Sequence, residues 1–276
     1  MRFARNSCGR RGNWQWSDLC FSASDLGVLE TSDKRMSSGV KIRKWAVIMA
    51  VVCCPVLWAQ RFSDLEAPTP LPPGSTLVIG FLGGFDRWND AHKSVRQLTL
   101  KLRETPGVYA ESISNRNRKL ALKLIRNALD TNRNGHLDIE ERAHARIILF
   151  GQSWGGAAVV ATARDLKQLG VPVLLTVQVD SVGLHDQEIP PNVLEAANFY
   201  QHDSLTVQGE RKIHAADPTK TRILCNVRVS YRHRSVDTSN ASWFRRTFGG
   251  SHVKMEQDPS TWSRVEQYID DAIARK

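Results

Sequence analysis

The order of segments along the chain predicts an α/β protein, with a mostly parallel sheet covered by helices on both faces. Three observations predict it. Short apolar runs of strand character alternate with longer segments whose apolar residues recur at helical spacing. One such run, 147–150, passes directly into Gly151-Gln152-Ser153-Trp154-Gly155 and then into an Ala/Val-rich helical pattern. A chain of 276 residues, 41% hydrophobic and 24% charged, can bury a full core without help from unusual composition.

Taken in order, the chain first shows a basic cluster, Lys41-Ile42-Arg43-Lys44, followed by the apolar run 45–59 (WAVIMAVVCCPVLWA). A basic start, an apolar stretch and a small final residue predict a secretory signal peptide over 36–59, with the exported chain beginning near Gln60. The run is short for a membrane span, which needs about 20 residues, so no stable span is expected. An uncleaved N-terminal anchor is the alternative. Since such a signal should open a protein, Met36 is read as the start. Residues 1–35 are then a non-native leader or a disordered segment. The Pro-rich stretch 67–74 (APTPLPPG) makes 60–74 an extended linker, and 75–276 is the expected domain.

Charge and cysteine content narrow the setting. Of the net charge of +10, half falls within residues 1–59, where nine Lys/Arg face four Asp/Glu. The remainder shows no basic stripe interleaved with aromatics, so nucleic-acid binding is not expected. Four of the five cysteines precede residue 60, leaving Cys225 alone and the domain without an internal disulfide.

Within the domain, 75–79 (STLVI) reads as a buried strand ending in the Gly-rich loop 80–85 (GFLGGF). Residues 90–103 follow as a helix with Val95, Leu98 and Leu102 aligned. A strand over 108–113 and a helix over 118–129 come next. After the Gly-Gln-Ser-Trp-Gly turn, a helix runs to about Leu169 and stops at Gly170. Strands are expected at 171–179, 195–200 and 226–232, the last from the alternation of Val227, Val229 and Tyr231. The final helix opens at Asp258-Pro259, an N-cap with proline at the first helical position, and buries Trp262, Val265, Ile269 and Ile273.

Chemistry concentrates at Ser153. A serine on a tight strand-to-helix turn has its hydroxyl pushed out above the sheet, and the flanking glycines avoid Cβ collisions. The helix after it aims free N–H groups at the place where an oxyanion would form. Activating the hydroxyl needs a base, and the base needs an acid to orient it. His252, in a Gly-Gly-Ser-His loop between the last strand and the last helix, is the best-placed base. Asp180, at the carboxyl end of the strand after the nucleophile helix, is the candidate acid, with Asp203 as runner-up one strand later.

With Ser153, Asp180 and His252 in that order, the chain from about residue 75 onward resembles the α/β-hydrolase superfamily. The segment Val179-Asp180-Ser181-Val182 resembles the acid-bearing turn of lipases. The resemblance implies an α/β-hydrolase fold and an oxyanion hole made by the N–H of Trp154 with that of Phe81 or Leu82. Two residues depart from the family pattern: Ile79-Gly80 stands where His-Gly is usual, and Gln152 replaces the common His before the nucleophile.

A separate motif occupies residues 130–141 (DTNRNGHLDIEE), which matches the twelve-residue EF-hand loop. Asp130, Asn132, Asn134 and Asp138 stand at oxygen-ligand positions, and His136 at the carbonyl-ligand position. Gly135 allows the sharp turn, and Glu141 is placed to bind in bidentate fashion. The expected cofactor is a structural Ca²⁺ ion. Together these features predict an exported serine hydrolase acting on a small-molecule ester or thioester. A catalytically silent, calcium-dependent binding module and a peptidase on the same fold are the alternatives. Trp88, Trp154, Trp243, Phe244 and Phe248 are candidates for lining an apolar pocket.

Overall fold

The computed structural model describes residues 60–204 and 206–275. The expected leader 1–35 and signal segment 36–59 lie outside the described residues, as do the side chains of Phe244 and Phe248. Six strands form one sheet: β1 (Thr76–Leu82), β2 (Val108–Ser114), β3 (Ile147–Gln152), β4 (Val173–Val179), β5 (Val193–Tyr200) and β6 (Arg222–Arg228). Their order is β2-β1-β3-β4-β5-β6, and every neighbouring pair is parallel. Parallel neighbours need crossovers, which supply the helices that cover both faces. The helices are α1 (Ser94–Leu102), α2 (Arg118–Leu129), α3 (Ile139–Ala143), α4 (Trp154–Gln168), α5 (Trp243–Gln257) and α6 (Pro259–Ala274). The fold class is therefore the one the sequence predicts. Among the described residues no helix is long and apolar enough to cross a membrane.

Period-two alternation along the central strands sorts side chains between two cores. Leu77, Ile79 and Phe81 of β1 and Ile147 and Leu149 of β3 join Leu124 and Ile125 of α2 and Val159 and Ala163 of α4. The intervening residues, Val78, Leu82, Ile148 and Phe150, join Val95 and Leu98 of α1 and Trp262, Val265 and Ile269 of α6. Because both faces are apolar, the strands read as continuous hydrophobic runs. Helix α6 starts as expected, with the Asp258 carboxylate accepting from the Ser260 N–H at 3.1 Å and Pro259 as the first helical residue.

Two expectations need correction. Strand β6 begins at Arg222, four residues before the expected 226, and ends at Arg228. The Arg222 guanidinium pairs with Glu195 at the start of β5 (Nε to Oε1, 3.0 Å), which brings the earlier residues into the sheet. At the other end, the Tyr231 N–H donates to Asp203 at 2.7 Å, drawing the chain out of the strand. Tyr231 is buried because its hydroxyl donates to Asp258 at 2.9 Å, and not because of strand alternation.

The second correction concerns residues 60–74, which lie along the domain as a strap and not as a free linker. Gln60 is buried and donates to the Ser112 carbonyl at 2.9 Å, and Leu71 is buried with its N–H on the Ala128 carbonyl at 2.9 Å. Midway, the backbone N–H groups of Glu66 and Ala67 donate to Glu111 Oε1 at 2.6 and 2.8 Å. Phe62, Leu65 and Ala67 pack on the α2–α4 face of the core. Proline-rich composition predicted an extended segment, whereas the strap includes a 3-10 turn at Phe62–Asp64 and its apolar residues have core to cover.

Candidate active site

Strand β3 ends at Gln152 and α4 begins at Trp154, so Ser153 alone makes the turn. It does so with φ 57° and ψ −125°, a left-handed conformation that costs a non-glycine residue on the order of 1–3 kcal/mol. The flanking glycines are sterically required. A Cβ on Gly155 would stand 2.0 Å from the Phe81 carbonyl oxygen, and one on Gly151 would stand 2.5 Å from the Gly155 oxygen. The turn is also tied to β4. Ser153 N–H donates to the Val179 carbonyl at 3.0 Å, and Val182 N–H donates to the Ser153 carbonyl at 3.1 Å. Between those two contacts sits Asp180.

The Asp180 side chain is fully buried and accepts four hydrogen bonds. Oδ1 receives the backbone N–H of Gln201 (3.2 Å) and of Gly209 (2.9 Å). Oδ2 receives Gln201 Nε2 (2.9 Å) and His252 Nδ1 (2.6 Å). Gly209 must be glycine here, because a Cβ would fall 2.3 Å from Oδ1. The acid is thus held by three donors so that its remaining position faces the imidazole. Asp203, the runner-up, is occupied elsewhere. It binds Ser230 Oγ (2.7 Å), Tyr231 N–H (2.7 Å) and Arg228 (3.1 Å) at the end of β6. Burial opposes its ionisation, but those donors outweigh it and hold its carboxyl below the ordinary range.

His252 is delivered by a helix and not by the expected loop. Its Gly-Gly-Ser-His segment lies inside α5, where Gly250 alone departs from helical geometry (φ 49°, ψ −129°). The two glycines mark a kink between helical halves, and His252 opens the second half with its ring buried. With Nδ1 on Asp180, the ring presents Nε2 towards the end of β3. There it meets the side-chain amide of Gln152, Nε2 to Nε2 at 3.2 Å. Sequence reasoning noted Gln152 only as a departure from a family pattern and did not place it in the site. Its parity with Phe150 and Ile148 was the available signal, since those residues face the core that also holds Met255 of α5.

The expected oxyanion donors divide. Trp154 is the first residue of α4, so its N–H has no acceptor within the helix and stays beside Ser153. Phe81 and Leu82 instead lie within β1, and the Leu82 carbonyl turns towards β2 to accept from Asn115 Nδ2 at 2.9 Å. Gly83, the residue after β1, lies beside the turn of Ser153, since a Cβ there would stand 3.0 Å from Ser153 Cβ. Of the aromatic candidates, Trp154 is 44% exposed and meets the still more exposed Phe85 edge-on, with ring centroids 5.5 Å apart. Trp88 lies under the Arg96 guanidinium and Trp243 is exposed on α5.

The 130–141 loop lies at the opposite end of the sheet, just before β3 enters it. Its turn follows the motif: Asp130 accepts from the N–H of Asn134 (3.0 Å) and Gly135 (2.9 Å), and Gly135 has φ 82°. Asn132 Oδ1 shares the Asn134 N–H at 3.0 Å, and Asn132 Nδ2 lies 3.3 Å from Asp138 Oδ2, so the heads of Asp130, Asn132 and Asp138 are neighbours. Asn134 Oδ1 accepts from His136 N–H at 2.8 Å. Glu141 differs from the expected bidentate ligand. Its Oε1 accepts from Thr131 N–H (2.7 Å), Thr131 Oγ1 (2.9 Å) and Asn132 N–H (3.2 Å), and Oε2 accepts from Asp138 N–H (3.1 Å). Desolvation opposes its charge, but the Asp138 N–H and the Thr131 and Asn132 donors outweigh that and lower its carboxyl below the ordinary range. Among the described residues no group of three or more His, Cys, Asp or Glu side chains is arranged to hold a metal ion.

No family model and no curated protein matches this chain. Solved structures resemble it at low identity. A cutinase-like protein from Cryptococcus sp. is 12% identical, with a TM-score of 0.41 over 75% of this chain and 98% of its own. Dienelactone hydrolase from Anabaena variabilis is also 12% identical, with a TM-score of 0.39 over 75% and 95%. Human thioesterase 2 is 9% identical, with a TM-score of 0.39 over 72% and 96%.

Proposed function

We propose that this chain is a serine hydrolase cleaving a small-molecule ester or thioester through an acyl-Ser153 intermediate. One observation carries the reading. His252 is held by Asp180 at 2.6 Å with Nε2 directed at the end of the strand that delivers Ser153 on a strained turn. In the first half-reaction His252 Nε2 takes the Ser153 proton as Oγ bonds to the substrate carbonyl carbon. The oxyanion is met by the Trp154 N–H from the helix terminus and by an N–H of the Gly83 turn, which takes the role expected of Phe81 or Leu82. The same proton then passes to the departing alcohol or thiol as its bond to the carbonyl carbon breaks. Water repeats the sequence to release the acid and restore Ser153. The exposed Phe85 and Trp154 rings beside the nucleophile favour an apolar acyl group.

Labelling by a fluorophosphonate probe, together with turnover of short acyl esters, tests this reading. Both are expected in the wild type and neither in Ser153→Ala or His252→Ala, with turnover falling on the order of a million-fold. An unlabelled wild type would instead favour the binding-module alternative, and turnover of amides but not esters a peptidase.

The reading extends to a structural Ca²⁺ ion and to export. Asp130, Asn132, Asn134, Asp138 and the His136 carbonyl make an all-oxygen donor set suited to a hard cation. Glu141 would join it by giving up its backbone donors. Chelation is then expected to lower the melting temperature by several degrees with the catalytic rate intact, since the loop is remote from Ser153. An unchanged melting temperature and no heat of Ca²⁺ binding would leave the loop an ordinary turn closed by Glu141. Export rests on the signal-like segment 36–59, and N-terminal sequencing of secreted protein, expected to start near Gln60, decides it.

A further inference from the structure

We propose that Gln152 is a positioning residue of this site, whose side-chain amide is the standing hydrogen-bond partner of the base, holding the neutral imidazole with Nε2 at the end of β3 until Ser153 Oγ displaces the amide from that nitrogen. The inference rests on the Ser153–His252–Asp180 reading and adds to it a group outside the triad. Gln152 is 1% exposed, so its amide has no recourse to solvent and must find partners within the site. Its Nε2 lies 3.2 Å from His252 Nε2, and its Oε1 lies on the side of Gly83, where a Cβ would come within 2.6 Å of that oxygen. Ser153 Oγ makes no hydrogen bond among the described residues, so in this geometry the amide, and not the nucleophile, occupies the base.

Donor and acceptor roles follow from the other end of the ring. His252 Nδ1 stands 2.6 Å from a carboxylate and therefore carries a proton, which leaves a lone pair on Nε2 of the neutral ring. Gln152 must then present N–H to that lone pair. When Nε2 is protonated it becomes a donor, and the same N–H opposes it until the amide turns to offer Oε1 or the ring gives up the contact. A buried donor on Nε2 thus favours the neutral ring. The charged groups around the ring do not replace this effect. Asp180 faces Nδ1, while on α5 itself Lys254 reaches the Tyr231 and Arg234 carbonyls and Glu256 pairs with Lys93.

Replacing Gln152 by methionine preserves bulk and removes the donor, and Gln152→Glu replaces the donor with an acceptor that carries charge. The measurement is the pH profile of kcat/KM on a short acyl ester, with the His252 Cε1–H resonance titrated in parallel in a Ser153→Ala background. The His252 midpoint and the acid limb are expected to move to higher pH by roughly half to one unit in Gln152→Met, the equivalent of one hydrogen bond. They are expected to move further in Gln152→Glu. A purely structural role would lower stability and leave the midpoint in place, so an unmoved or lowered midpoint in folded Gln152→Met overturns the proposal. If Ser153→Ala abolishes turnover while both variants titrate like the parent, only the role of Gln152 falls. If Ser153→Ala stays active, the triad reading falls, and the resonance still reports whether the amide acts on the ring.

Discussion

Replacing Asp180 by asparagine changes one atom of the carboxylate, and the four donors around it decide where the new amide goes. Both side-chain oxygens of Asp180 accept two hydrogen bonds each. In Asp180→Asn one position becomes Nδ2, which must face two donors whichever way the amide turns. On the Oδ1 side those donors are backbone N–H groups of Gln201 and Gly209, which cannot reverse. On the Oδ2 side they are the Gln201 side-chain amide, which is pinned by the Val207 carbonyl and the Asp203 and Ser204 N–H groups, and His252 Nδ1, which adapts by moving its proton to Nε2. The expected product is therefore a folded protein whose imidazole holds its proton on the wrong nitrogen. Loss of the correct tautomer costs about 10⁴-fold in kcat, or roughly 5.5 kcal/mol of transition-state stabilisation. Stability should also fall, by about 1–3 kcal/mol, because the pinned Gln201 Nε2 then faces Nδ2 without an acceptor and cannot turn without unpairing the Asp203 and Ser204 N–H groups. Steady-state ester hydrolysis alongside thermal unfolding measures both. Turnover within tenfold of the parent would refute the assignment of Asp180, and an unchanged melting temperature would refute the reasoning about which donors adapt.

Gly209→Ala places a methyl 2.3 Å from Asp180 Oδ1 and should lower kcat with a smaller change in KM, as followed by initial rates. Lys93 is buried between Asp86 (3.2 Å) and Glu256 (3.0 Å), joining the turn after β1 to the helix of His252. Lys93→Met removes the cation that Asp86 and Glu256 share and should lower stability in chemical denaturation, and an unchanged denaturation midpoint would show that this link does not hold the two segments together. Asp203→Asn should destabilise the protein at neutral pH while sparing turnover in the folded fraction. Because the folded-state carboxyl of Asp203 is held below its ordinary range, its stabilisation is present above the unfolded value and lost as pH falls through the folded one. Melting curves of parent and variant should accordingly converge in strong acid, and a gap that persists there would show that the Asp203 contacts do not act through charge.

The central architecture was legible wherever burial on both faces left an uninterrupted apolar run. The observed strands β1, β3 and β4 overlap the expected 75–79, 147–150 and 171–179, and α2 occupies the expected 118–129. Sequence failed where a polar residue far along the chain decided the outcome. Asp203 and Glu195 set the limits of β6 from outside it, and Glu111 captures the strap at Glu66 and Ala67. The proximity of Asp180 to the turn of Ser153 was readable because both stand at strand ends on the carboxyl edge of the sheet, to which α5 carries His252. Gln152 was not, because the significance of its amide depends on α5 kinking at Gly250 and bringing His252 against the end of β3. In the 130–141 loop the motif gave the turn correctly, while the partner chosen by Glu141 could not be read from spacing.

The course of the strap decides how this protein can be mounted. Gln60 is fixed beside Ser112 and Asn117, near the carboxyl end of β2, so the described chain starts on the side of the sheet where Ser153 lies. The C-terminal helix ends far from it. The Ile273 carbonyl accepts from Arg146 just before β3, and Arg275 pairs with Glu195 at the start of β5, both at the amino edge. A bead, surface or fusion partner joined at the C-terminus therefore leaves Ser153 facing outward, whereas the same attachment at Gln60 crowds the approach to it.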